Sequence, residues 1–293
     1  MLQFGKFYIS RGMLEIFLVQ MEVAPNDKAK NFAKVEALTQ GIRKEAQAGA
    51  ANAGLIVLPE MFATGYLPLH PESAAEDFTL ESAGETAHFL HKLANRTGCA
   101  VMGAGISGAD AACVDAESGV STAPHCDVRT APLANHASVY MPGNAAEYAG
   151  YDKRRPFFME QGKFRAGADV NLFKIDEWTV APTICFDLRF PELYRDAVKA
   201  GANLFTVQAA WPQERILHWN TLLKARAIEN QAYVAAVNCV SPDGKYTGNS
   251  QIINPLGDVI AQAEAGKESV ISASLDMDSL LKYRKVFPVL KNI

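Results

Sequence analysis

Three ionisable side chains in this sequence stand just past short apolar runs that read as buried strands. Glu60 ends L-I-V-L-P-E, Lys153 follows Y-A-G-Y-D, and Cys185 ends the β-prone run from Val180 to Ile184. Open α/β sheets gather their sites at strand ends, so the three could converge. Taken singly, each has a plain structural reading. Glu60 could cap a helix, Lys153 could be a solvated charge, and Cys185 could be a core cysteine, where free thiols usually sit. Together they are the set that attack on an amide requires: a thiol, a base to deprotonate it, and a cation for the developing oxyanion.

The elements that would hold these residues alternate in type. Leu14 to Gln20 reads as a strand, Lys28 to Ala48 as an amphipathic helix, and Leu55 to Leu58 as a second strand. Helix 85–97 and strand 100–106 continue the rhythm, which is that of an α/β layered protein. Residues 136–140 and 146–151 suggest a hairpin through M-P-G-N. In the second half, strands are expected at 172–175, 203–208 and 232–239, with helices at 191–200 and 215–231. Strands at 249–254, 258–264 and 269–274 and a short helix at 277–282 close the chain. The stretch from Ser107 to Asn135 is Ala-, Ser-, Gly- and Asp-rich and is expected to be a loop insertion, with Cys113 and Cys126 incidental to it. No linker composition divides the chain, so residues 14–288 are read as a single domain behind an N-terminal extension at 1–13, which lacks the h-region of a signal peptide.

Bulk properties narrow the function. The 293 residues can bury a large core, with 49% hydrophobic and 20% charged residues. A net charge of −4 offers no broad positive field to nucleic acid or to an anionic membrane surface. No apolar run approaches the roughly 20 residues of a membrane span. Five cysteines, an odd number without a C-x-x-C pair, argue against a disulfide framework or thiolate zinc site and for a reducing, cytoplasmic setting. Neither a metal nor another cofactor is expected.

The motifs around these residues, L-P-E-M-F, Y-D-K-R and I-C-F-D-L-R-F-P-E, resemble in type and order those of the nitrilase superfamily of carbon–nitrogen hydrolases. The resemblance covers roughly residues 14 to 288. It implies a Glu-Lys-Cys triad of Glu60, Lys153 and Cys185 on a four-layer αββα sandwich, with subunits paired as a homodimer or larger homo-oligomer. It also implies a second glutamate seven residues ahead of a glycine, an offset that Glu160 and Gly167 match. In the mechanism this suggests, Glu60 takes the proton of Cys185, helped by Glu160 in the later hydrolysis. Lys153 and the backbone N–H of Phe186 hold the oxyanion.

Within the superfamily the second half is most similar to the ω-amidases, which act on 2-oxoglutaramate and 2-oxosuccinamate, through A-A-W-P-Q-E-R, the segment from His218 to Val234, and Y-R-K-V-F-P. A small-molecule amide of this kind carries a carboxylate, which calls for an arginine fork. Arg189 and Arg215 are the candidates, with Trp211 and Phe186 as an apolar wall. Arg189 could equally pair with Asp187 or Glu192 as a structural brace. His218, Arg226, Glu229 and Asn230 are read as structural. Arg155-Pro156 stands where relatives often have His-Leu, which leaves open a deaminated-glutathione-type amidase or a carbamoyl-amide hydrolase. A non-catalytic scaffold on the same fold is the remaining alternative.

Overall fold

The computed structural model describes residues 12–42, 53–78, 84–108, 133–144 and 146–293. Most of the N-terminal extension, the end of the first predicted helix, and residues 109–132 with Cys113 and Cys126 lie outside them.

Among the described residues, twelve strands form two mixed sheets of six. The first half contributes β1 (Met13–Gln20), α1 (Lys28–Leu38), β2 (Ala53–Val57), α2 (Glu85–Thr97), β3 (Ala100–Ser107), β4 (Ala134–Tyr140) and β5 (Ala149–Asp152). The second contributes β6 (Phe173–Ile175), β7 (Trp178–Ile184), α3 (Pro191–Lys199), β8 (Leu204–Ala209), α4 (Ile216–Asn230), β9 (Tyr233–Asn238), β10 (Gln251–Ile253), β11 (Val259–Gln262), β12 (Ser269–Asp276) and α5 (Met277–Val286). The sheet orders are β12-β1-β2-β3-β4-β5 and β11-β10-β9-β8-β7-β6. Each has three parallel strands in the middle, β1-β2-β3 or β7-β8-β9, with antiparallel strands on both flanks.

The alternation of side chains along each strand decides the layers. On β1, Leu14, Ile16 and Leu18 enter the core shared by both sheets. Val19 faces the other way, into a cluster with Val35 of α1 and Phe89, Leu90 and Leu93 of α2. Across the sheet interface Thr206 donates to the Met102 sulfur at 3.4 Å, and the Gln208 amide donates to the Leu58 carbonyl at 2.6 Å. On the outer side of the second sheet Phe205 meets Tyr194 of α3 edge-on at 4.9 Å. The result is a helix–sheet–sheet–helix sandwich. Buried side chains of this size each stabilise it by roughly 1.5–3 kcal/mol.

The first helix ends at Leu38, where the Thr39 N–H and hydroxyl both turn back to the Val35 carbonyl, and not at the expected Ala48. Most other element boundaries follow the sequence reading closely, with one consequential difference. Ser107 ends β3, and β4 begins at Ala134, so Asn135 belongs to a strand and not to the expected loop. Ladder pairing with β3 from Ser107↔Ala134 onward carries the strand two residues past where the apolar pattern starts.

Candidate active site

Each site residue is delivered by a strand end. Glu60 opens the turn after β2, in which Thr64 and Gly65 donate back to the Met61 carbonyl at 3.1 and 2.8 Å. Lys153 follows β5, its N–H bonded to the Asn135 carbonyl at 2.9 Å. Gly167 donates to the Lys153 carbonyl at 2.9 Å, and a Cβ there would run into the Asp152 carbonyl; only glycine permits this approach. Cys185 begins a 3-10 turn, Cys185–Arg189, between β7 and α3. Its φ is +46°, and Met61, next to Glu60, has φ +47°. Left-handed backbone at a non-glycine residue costs about 1 kcal/mol or more, and these are two of the seven such residues among those described.

The turn carrying Cys185 is braced from both sides. Asp187 accepts the Ile184 N–H at 3.0 Å, the Tyr151 hydroxyl at 2.7 Å and the Arg155 N–H at 2.9 Å. Burial pushes the Asp187 carboxyl up to about 6 against those donors and the charge of Lys153. From α4, Arg226 donates twice to the Leu188 carbonyl, at 3.2 and 2.7 Å, and once to Glu229 at 2.9 Å.

Glu60, Lys153 and Glu160 are brought together at 0–1% exposure. The Lys153 ammonium lies 2.9 Å from Glu60 Oε1 and 3.0 Å from Glu160 Oε1. Two buried carboxylates around one ammonium would be costly without further donors. The Ala210 N–H reaches Glu60 Oε2 at 2.9 Å, the Phe157 N–H reaches Glu160 Oε2 at 2.6 Å, and the Asn135 amide donates to both Oε1 atoms, at 2.7 and 2.9 Å. Burial opposes the lysine charge, but Glu60, Cys185 and Glu160 outweigh it and raise Lys153 above the usual lysine range. Cys185 is 9% exposed, and burial, with Glu60 beside it, pushes the thiol well above its ordinary value despite Lys153. The site thus favours the thiol over the thiolate, with Glu60 within hydrogen-bonding reach of the sulfur.

Cys185 opens onto a cavity of about 260 Å³ that Phe186, Arg189, Trp211 and Arg215 also line. Arg189 is not the brace considered from the sequence. Glu192 pairs with Arg155 at 3.4 Å and Asp187 is occupied as above, whereas the Arg189 guanidinium lies 4.7 Å over the Trp211 ring and donates to His218 Nδ1 at 3.3 Å. Arg215, at the start of α4, is 3.7 Å from Glu214. Glu60, Lys153, Glu160 and Asn135 form the buried array behind Cys185 and are not in the cavity wall. Sequence reasoning missed Asn135, Tyr66 and Lys245. Tyr66 lines the cavity with its ring 5.8 Å from the Lys153 ammonium, and Lys245 adds a third cation. Tyr66 sits in the Gly- and Pro-punctuated loop after Glu60, and its closeness to that motif was the available signal. Among the described residues no cluster could hold a metal ion, and no helix is long and apolar enough to cross a membrane.

The carbon-nitrogen hydrolase family profile matches residues 16–285. The omega-amidase of Escherichia coli K12 is 32% identical over 280 residues, covering 94% of each chain. The 2-oxoglutaramate amidase of Paenarthrobacter nicotinovorans is 33% identical over 290 residues, covering 97% of this chain and 90% of its own. A CN-hydrolase superfamily protein from Xanthomonas campestris, solved with an arsenic adduct in its active site, superposes with a TM-score of 0.78 at 27% identity, covering 96% of this chain and 97% of its own. The chain belongs to the carbon-nitrogen hydrolase family.

Proposed function

We propose that the protein is an amidohydrolase that releases ammonia from a small linear amide bearing a carboxylate, with 2-oxoglutaramate or 2-oxosuccinamate as substrate. The observation that carries this reading is a buried thiol–carboxylate–ammonium array opening onto a small cavity with Arg189, Arg215 and Lys245 in its lining. Relatives about one-third identical are named for this activity.

In the mechanism, Glu60 takes the Cys185 proton as the sulfur attacks the amide carbonyl. The developing oxyanion is held by the Lys153 ammonium and the Phe186 N–H, which has no partner within its own turn because N–H groups at a helical start have none. The protonated Glu60 then gives its proton to the leaving nitrogen, and ammonia departs. Water, deprotonated by Glu60, hydrolyses the thioester. Glu160 keeps Lys153 charged and in place. At the far end of the substrate the Arg189 fork takes the carboxylate, with Trp211 and Phe186 against the short carbon chain. A cavity of about 260 Å³ suits a four- or five-carbon acid better than a peptide-sized amide such as deaminated glutathione.

The test is ammonia release from 2-oxoglutaramate, 2-oxosuccinamate, deaminated glutathione, an N-carbamoyl amine and butyramide. The highest kcat/KM is expected for one of the two oxo-acid amides. No ammonia above background from either would refute the substrate assignment, and turnover of another panel member would relocate it within amide hydrolysis.

A further inference from the structure

The proposed chemistry asks one glutamate to accept a proton beside a second glutamate of the same kind, and one amide donates to both. A carboxylate offers about four acceptor positions, two on each oxygen. On Glu60, Oε1 takes the Asn135 amide at 2.7 Å and the Lys153 ammonium at 2.9 Å, and Oε2 takes the Ala210 N–H at 2.9 Å. One position remains, on Oε2. On Glu160, Oε1 takes the Asn135 amide at 2.9 Å and Lys153 at 3.0 Å, while Oε2 takes the Phe157 N–H at 2.6 Å and lies 2.9 Å from the same ammonium. The Cys185 thiol is within hydrogen-bonding reach of Glu60, whereas Glu160 acts on it only through its charge.

Asn135 is what fills Oε1 of both. Its orientation is fixed by charge, because a flipped amide would set its carbonyl against two carboxylates. As it stands, the 1% exposed side chain leaves its own Oδ1 without a hydrogen-bond partner. Buried carbonyls are normally paired. An apolar residue here would avoid the unpaired atom, so the strand keeps Asn135 for its NH2 group.

We propose that Asn135 is a positioning residue for the hydrolysis, which completes the donor set on Oε1 of both glutamates and leaves Oε2 as the oxygen of Glu60 with room for the Cys185 proton. In the acylation step the S–H bond breaks, an O–H bond forms at Glu60 Oε2, and the sulfur electron pair makes the new C–S bond. On collapse the C–N bond breaks, and that proton moves to the departing nitrogen. The titratable groups facing Glu60 are Lys153, Glu160, Cys185, Tyr66, Cys239 and Tyr246. The inference rests on Cys185 being the nucleophile, so its test includes a readout that needs no substrate.

Asn135→Ala and the wild type are compared over pH 5 to 9 by ammonia release and by the rate of Cys185 alkylation with iodoacetamide. In Asn135→Ala, kcat is expected to fall about 10–100-fold with KM within about twofold. The acid limbs of both profiles should move up by about one pH unit, because the base has lost a donor to its charged form. Superimposable alkylation profiles, or a change confined to KM, overturn the proposal. If Asn135→Ala does not fold by circular dichroism, Asn135→Thr, which retains one hydroxyl donor, is read by the same alkylation criterion. An intermediate shift supports the proposal and superposition overturns it. A shifted alkylation profile in a protein that releases no ammonia from any amide supports the role of Asn135 and refutes the proposed function instead.

Discussion

A single buried ammonium is shared by two carboxylates, and in the lining of the cavity beside Cys185 a guanidinium lies free of any ion pair to Asp187 or Glu192. Burial and the charge of Arg215 lower the Arg189 pKa, so its positive charge is held at some cost that a bound anion would offset. Its stack on Trp211 and its bonds to His218 hold the fork in one orientation without neutralising it. Replacing Arg189 with Met should lower kcat/KM for a carboxylate-bearing amide about 30–100-fold, the loss expected for a charged hydrogen bond worth about 2–3 kcal/mol. Butyramide should change by less than about threefold. Equal losses on both substrates would show that Arg189 supports the turn and not the carboxylate. Glu60, Lys153 and Cys185 were legible because each stands at the end of an apolar run. Asn135 was not, because it lies at the start of β4 next to an irregular stretch, and a single polar residue there looks like a loop. Its partners Glu60 and Lys153 follow β2 and β5, and no local spacing links it to them.

At the scale of elements, the β4–β5 pair carries both Asn135 and Lys153 and is clamped on its other face. His136 sits between two carboxylates, with Nδ1 2.6 Å from Asp152 and Nε2 2.8 Å from Glu147. Only the doubly protonated ring can donate to both. Burial works against that charge, but Asp152 and Glu147 outweigh it and raise the ring from 6.5 to about 9. Because the folded value exceeds the unfolded one, the clamp contributes fully below pH 6.5 and its contribution is lost as the pH rises through about 9. The difference corresponds to roughly 3 kcal/mol. Denaturant unfolding at pH 6.5 and pH 9.5 should therefore show the wild type losing stability by about that much, while His136→Gln should be weaker at pH 6.5 and lose far less on raising the pH. Parallel slopes for the two proteins would rule out the clamp. The hairpin itself was visible in the sequence. The clamp was not, because His136, Glu147 and Asp152 are spaced by the register of the pair and by the turn between its strands.

At the scale of the whole molecule, both sheets repeat one plan: an antiparallel edge, three parallel strands joined by two helices, then two antiparallel strands. The α/β rhythm was readable from periodicity, whereas the stacking of two such sheets face to face was not. Strands such as β3 and β8 are buried on both faces along their whole length, and a buried strand carries no record of what covers it. The four-layer arrangement came from motif resemblance. The repeat places Cys185 after the first parallel strand of one sheet and Glu60 after the second of the other, which is why residues 125 positions apart converge on one cavity. The central claim is that Cys185 performs the covalent step. The most direct test is the ammonia-release rate of folded Cys185→Ala on whichever amide the wild type hydrolyses fastest. The account predicts a loss of about 10⁴-fold or more. A rate within about tenfold of the wild type would contradict it.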